Sequence, residues 1–216
     1  MNRGVRRAAL LAALLAAGCG APQPPSGEPP EPPAEVLPVD AARLGPSWRP
    51  GCPVGPGELR LVRVRHVGFD GVERTGELVV HRDRVPQTTE AFARLLELRF
   101  PIERVRPAGD YPDASDELSM RDDNTSAFNC RGIEGSGSWS NHAYGRAIDI
   151  NPLLNPYLDS DGVLQPATAG PYLDRQRRDP GMLHAADPAV RVFTGAGWTW
   201  GGNWQDPKDY QHFELP

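Results

Sequence analysis

Two segments lying far apart in the chain carry side chains that form a working set only together, and this narrows the possible folds more than any other feature. The first is Ser140-Asn141-His142-Ala143-Tyr144-Gly145-Arg146-Ala147-Ile148-Asp149-Ile150, and the second is Asp209-Tyr210-Gln211-His212-Phe213-Glu214. His142, Asp149 and His212 supply two imidazoles and one carboxylate. Three ligands leave a tetrahedral zinc ion one open position, where a water can be activated. A structural zinc site would be closed by a fourth ligand, usually cysteine, and Cys19, Cys52 and Cys130 all lie outside both segments.

The local spacing says how these ligands are carried. His142 and Asp149 would share one face of a helix, but Gly145 and the β-branched Ile148 and Ile150 argue against a continuous one. A loop or short helical turn carrying His142, followed by a strand over 147–151 carrying Asp149, fits better, and Asn151-Pro152 ends that strand. Asp209 and His212 are an odd number of residues apart. In a regular strand they would face opposite sides, so the backbone must bend between them if both face one site.

Proline and glycine together exceed a fifth of the 216 residues, which predicts a loop-rich α+β fold with short elements. Residues 59–67 alternate apolar and charged side chains, and residues 72–81 partly repeat the pattern after the turn Phe69-Asp70-Gly71, as in an antiparallel hairpin with one buried face. His66, His81 and, further on, His184 read as structural or loop residues. Thr88 or Thr89 caps a helix with apolar positions Ala91, Phe92, Leu95, Leu96 and Leu98, ending before Pro101. A short strand at 102–106, a loop at 109–124 with at most one helical turn, and a strand at 125–131 follow. Residues 156–180 form a surface excursion bordering a cleft. Within it Asp159-Ser160-Asp161-Gly162 hints at calcium without a full ligand set. Asp187 and Pro188 start a helix through Phe193. Residues 198–200 and 210–215 are strands.

At the other end, residues 1–18 combine Arg3, Arg6 and Arg7 with an Ala/Leu run and small residues before Cys19. This reads as a signal peptide too short to stay as a spanning helix. A cysteine placed there resembles the bacterial lipoprotein signal, which implies lipidation of Cys19 and export to the outer side of the cell membrane. The alternative is an ordinary secretory signal with an incidental cysteine. Residues 19–40 are a proline-rich linker that cannot bury enough apolar surface to fold, leaving 41–216 as one domain. In an exported protein Cys52 and Cys130 then pair as a disulfide. Lys and Arg number 23 against 28 Asp and Glu, and 20 against 28 without the leader, so nucleic acid is not expected as a partner.

Ser-x-His-x-x-Gly-x-Ala-x-Asp followed by Asp-x-x-His-Phe-Glu resembles the zinc peptidases typified by D-alanyl-D-alanine carboxypeptidases, D,D-dipeptidases and L-alanyl-D-glutamate endopeptidases. The run Asp-Asn-Thr-Ser-Ala-Phe-Asn-Cys-Arg ahead of it is similar to an extracellular bacterial branch. The resemblance implies a hedgehog/D-Ala-D-Ala-peptidase-like fold, a small antiparallel sheet with flanking helices and long loops. It implies Zn²⁺ on His142, Asp149 and His212, Asp209 as general base, and peptidoglycan stem peptides as substrates. It also implies an arginine opposite the developing negative charge; Arg131 is the first choice and Arg121 the second. Ser126 and Ser140 are candidates for hydrogen bonds to substrate or ligands. Glu214, two residues from His212 and so on the same strand face, suits a partner for its imidazole N–H. Trp204 is a candidate cleft wall, with Trp198, Trp200 and Tyr144 weaker ones because buried tryptophan is commonly core. A cell-wall binding protein without activity and a zinc hydrolase of another small amide are the alternatives. A serine hydrolase lacks its Gly-x-Ser-x-Gly elbow here.

Overall fold

The computed structural model describes Met1 and residues 34–133 and 135–216. Apart from Met1, the expected signal peptide, Cys19 and the linker up to residue 33 lie outside the described residues. The linker's expected end at residue 40 is corrected: Ala34–Pro38 is a strand, β1, paired antiparallel with β2 (Leu59–Val67). The reason is side-chain register. Glu35 stands directly across from Arg63 and Leu37 across from Leu61, so Glu35 meets the Arg63 guanidinium at 2.9 Å while Leu37 packs on apolar surface.

A one-turn helix α1 (Ala41–Leu44), capped by the Asp40 side chain, leads towards β2, which turns back as β3 (Glu73–His81). The hairpin is buried more fully than its alternation suggests. Val62, Val64, Leu78 and Val80 face the main core, and Leu59, Leu61 and Val79 on the other face pack with Val39, Leu44, Val54, Phe128 and Cys130. The helix α2 (Val85–Glu97) begins before the expected Thr88 or Thr89, because Pro86 in its first turn already holds a helical φ. Its Ala91, Phe92 and Leu95 are buried against the hairpin, at about 2 kcal/mol of hydrophobic stabilisation for each of the two larger side chains.

Segment 102–131 departs most from expectation. Only Arg104–Val105 (β4) and Asn124–Thr125 (β5) are strands, paired in parallel. The expected loop between them holds two 3-10 turns and α3 (Asp116–Arg121), capped by the Ser115 side chain. The strand expected through residue 131 stops early, and Ser126 instead makes a single antiparallel bridge to Asp149.

β6 (Ala147–Asp149), β9 (Thr199–Trp200) and β11 (His212–Glu214) form a second antiparallel sheet with β11 in the centre. The excursion at 156–180 folds as the hairpin β7 (Tyr157–Leu158) and β8 (Leu164–Gln165), to which β10 (Lys208–Asp209) adds. The acidic run at its tip makes the turn: Asp159 Oδ1 accepts from the Asp161 and Val163 N–H groups at 2.9 and 2.7 Å. The helix α4 (Pro188–Gly195) buries Val190 and Phe193 against β9 and β11. Phe193 stacks on Phe213 with centroids 4.1 Å apart. The architecture is thus α+β with small antiparallel sheets. Among the described residues no helix is long and apolar enough to cross a membrane.

Candidate metal centre

The segment carrying His142 is a 3-10 turn, Asn141–Tyr144, capped by Ser140, whose Oγ accepts from the His142 N–H at 3.3 Å. The turn ends at Gly145, with φ 66°. A Cβ there would stand 2.6 Å from the His81 nitrogen and 3.0 Å from Leu59 Cδ2, and the Gly145 carbonyl accepts from that same His81 N–H at 2.8 Å. Glycine is therefore required twice, for its dihedral and for its closeness to the hairpin. Two residues later the chain enters β6, where Asp149 lies directly across from His212 in β11. Cross-strand partners share a sheet face, so the ladder itself delivers carboxylate and imidazole to one spot.

His142, Asp149 and His212 are buried and offer ligand atoms all within 4.8 Å of one another. His142 Nε2 stands 3.2 Å from His212 Nδ1 and 3.1 Å from Asp149 Oδ2, and His212 Nδ1 is 3.0 Å from Asp149 Oδ1. Ligands about 2.0–2.1 Å from a tetrahedral zinc are about 3.3 Å apart, so the spacing suits that ion. The outward nitrogens agree. His142 Nδ1 faces the Ala127 carbonyl and His212 Nε2 faces Glu214 Oε2 at 3.3 Å. N–H donation to those acceptors turns the lone pairs of the other two nitrogens towards each other, the usual setting of metal-bound histidines. Burial works against charge on His212, yet hydrogen bonds to Asp149 and Glu214 overcome it and push the imidazole up to about 10. Burial would raise the Asp149 carboxyl, but His142 and His212 hold it below the usual carboxylate range. Positive charge at the meeting point, whether a proton or a metal ion, is what this set favours.

Asp209 reaches the same place from the other sheet. It pairs with Tyr157 across β10 and β7, and the chain bends at Tyr210-Gln211 before entering β11, the turn that the odd spacing demanded. Gly201 packs behind it so closely that a Cβ would lie 2.6 Å from the Asp209 carbonyl oxygen and 2.8 Å from its Cβ. The Asp209 Oδ1 is buried without a hydrogen-bond partner. Burial is the main cause that pushes this carboxyl up to about 6; His212 opposes it and the Asp149 charge adds to it. A buried carboxylate oxygen without a donor, beside a site for a hydrated cation, is poised to accept from water.

The remaining candidates separate. Arg131 pairs with Asp116, which also accepts from Asn129 Nδ2 at 2.7 Å, and its charge acts on both Asp209 and Tyr157. Arg121 is exposed at the end of α3 and borders a different cavity with Glu103, Asp122 and Tyr172. Ser126, bridged to Asp149, is half-buried beside it. The Trp204 ring lies 5.5 Å from that of His212. Trp198 and Trp200 belong to the core against Phe193 and Phe213, and Tyr144 packs on the smaller cluster. His66 faces the Ile102 carbonyl, His81 caps the Asp83 N–H, and His184 pairs with Asp187. The Cys52–Cys130 disulfide is formed, with Cα atoms 5.9 Å apart.

Several supports of the site escaped the sequence reading. Asn151, at φ 44°, donates to the Pro101 and Gly181 carbonyls and accepts from the Glu103 N–H. Asn155 donates to the Ile150 carbonyl and accepts from the Leu183 N–H at 2.7 Å. Together they anchor the chain leaving Asp149, and the repeated Asn-Pro at 151–152 and 155–156 was their signal. Asn141 and Asp116 had none.

Residues 134–215 match the model of a family described as D-alanyl-D-alanine carboxypeptidase. The match contains His142, Asp149, Asp209 and His212 and begins after Ser126 and Arg131. It bears out the resemblance read from the two segments and supports, at the level of that family, a hydrolase with peptidoglycan-related peptidase activity. Neither the curated proteins nor the solved structures give a match to the chain.

Proposed function

We propose that this chain is a zinc-dependent peptidase that hydrolyses peptidoglycan stem peptides, either removing a terminal D-alanine or cutting within the stem as at an L-Ala-D-Glu bond. The observation that carries the reading is the convergence of His142, Asp149 and His212 beside the partnerless Asp209 Oδ1. His142 Nε2, an Asp149 oxygen and His212 Nδ1 would hold a zinc ion, which would supply Lewis acidity and lower the pKa of a water toward about 7. Asp209 takes the proton of the attacking water at Oδ1 and hands it to the leaving amine. A carboxylate within reach of the water is the group such proton transfer needs. Arg131, steadied by Asp116, sets a positive charge towards the substrate carbonyl oxygen, where negative charge develops. Trp204 walls the cleft next to His212.

The N-terminal residues extend this proposal. Export by residues 1–18 and lipidation of Cys19 would hold the catalytic domain on the outer face of the cell membrane, with residues 20–33 as spacer towards the wall. The test is mass spectrometry of products after incubating the zinc-loaded protein, beside a His142→Ala variant, with defined stem peptides. Wild type is expected to release one peptide-bond product and the variant none above background. Identical products from both would sink the hydrolase reading, and retention of intact stem peptide without cleavage would favour a wall-binding role.

A further inference from the structure

A chain of contacts on the far side of His212 takes no part in the proton transfer proposed above. Glu214 Oε2 accepts from two donors at once, His212 Nε2 at 3.3 Å and Asn141 Nδ2 at 2.6 Å. Asn141 is the neighbour of His142 in the 3-10 turn, and Glu214 shares β11 with His212. The contact therefore crosses between the two ligand-bearing segments, which the sequence holds 73 positions apart at this pair.

The geometry has a directional consequence. A neutral imidazole carries its single proton on either of two distinct nitrogens, and the acceptor on one decides which lone pair is left. Glu214 ends the three-residue strand β11 and is half-buried there. The short Asn141 contact pins one of its oxygens, and that same oxygen faces His212 Nε2.

Resting on the metal reading above, we propose that Asn141 is a positioning residue: by fixing Glu214 Oε2 against His212 Nε2 it presents His212 Nδ1 to the divalent ion and raises the site's affinity for it. Asn141 touches neither ion nor substrate in this role. Partners one step removed from a metal ligand are typically worth about 10–100-fold in metal affinity.

The experiment is zinc affinity, measured on the full chain by competition with a chromophoric chelator, for wild type, Asn141→Ala, Asn141→Ser, Glu214→Gln and the Asn141→Ala/Glu214→Gln double variant. Asn141→Ala is expected to weaken zinc about tenfold and Glu214→Gln at least as much. The double variant should be no weaker than Glu214→Gln alone, because Asn141 acts through Glu214. Asn141→Ser, which keeps a donor, guards against a variant that does not fold and should recover part of the loss. The visible absorption of the cobalt-loaded Asn141→Ala protein should also change as His212 turns. If Asn141 merely staples the turn to β11, its loss lowers the thermal midpoint of the metal-free protein and leaves zinc affinity within about twofold, and the proposal is overturned. Additive losses in the double variant overturn it as well. Wild type that binds no zinc would instead bring down the metal reading itself, so the two failures are distinguishable.

Discussion

The three candidate ligands and the proposed base arrive at one point from differently built parts of the molecule. His142, Asp149 and His212 sit on or beside the β6-β11-β9 sheet, whose other residues Ile148, Trp200 and Phe213 are buried in the main core. Asp209 comes from β10, which pairs with the short β7-β8 hairpin of the surface excursion, whose residues are half-buried at most. Ligand geometry is thus secured by core packing and a backbone ladder. The position of the base is secured by a peripheral sheet and one close glycine contact. Metal binding and proton transfer should consequently be separable by mutation, with damage on the ligand side reaching folding and damage on the base side reaching rate.

The sharpest way to break that division is Asp209→Asn. The substitution keeps shape and removes the proton acceptor, so the turnover rate on a stem peptide should fall about 10²–10⁴-fold, with zinc content by elemental analysis unchanged. Loss of zinc in this variant would show that the base is part of the ligand set.

The two glycines make a gentler pair. Gly145→Ala forces a side chain into a positive φ and against the His81 nitrogen, and should cost about 1–3 kcal/mol in urea unfolding. Gly201→Ala presses on the Asp209 backbone and should lower the rate about tenfold by shifting the carboxylate. Zinc affinity and unfolding midpoint should stay close to wild type. If both variants lose stability equally, the peripheral sheet is as much a part of the core as the other.

A comparable effect outside both regions concerns Asp123, whose carboxylate accepts from the Leu153 and Leu154 N–H groups at 2.8 and 3.4 Å. Burial pushes this carboxyl up to about 7. A folded pKa above the unfolded value means that its stabilisation is complete below about pH 4 and is lost as pH rises through about 7. Asp123→Asn should therefore match wild type near pH 4 and exceed it above pH 7, by on the order of 2 kcal/mol. Thermal midpoints across that range check the sign, and a variant less stable at pH 8 would contradict it.

The same contrast explains what could be read from the sequence. The turn at His142, the strand at Asp149 and the bend before His212 follow from Gly145, two β-branched isoleucines and an odd spacing, all local signals. Glu214 was legible because strand periodicity alone puts it beside His212. Strand β1 was not, since a proline-rich approach masks five residues whose reason for being extended is Arg63 on another strand. Helix α2 began early because Pro86 outweighs the threonines as a start signal. Asn151 and Asn155 left a trace in the repeated Asn-Pro, whereas Asn141 and Asp116 were invisible for a shared reason: their decisive partners lie 73 and 13 positions away, and a lone polar residue has no period to betray it.

The Cys52–Cys130 link ties residues separated by 78 positions, and Cys130 precedes Arg131. Closing a loop of that size removes disorder from the unfolded chain worth about 4–5 kcal/mol in the chain-entropy account. The thiol poise of the surroundings therefore reaches this protein twice: it sets how readily the domain stays folded, and it decides whether Arg131, whose charge acts on Asp209, hangs from a fastened or a loose piece of chain.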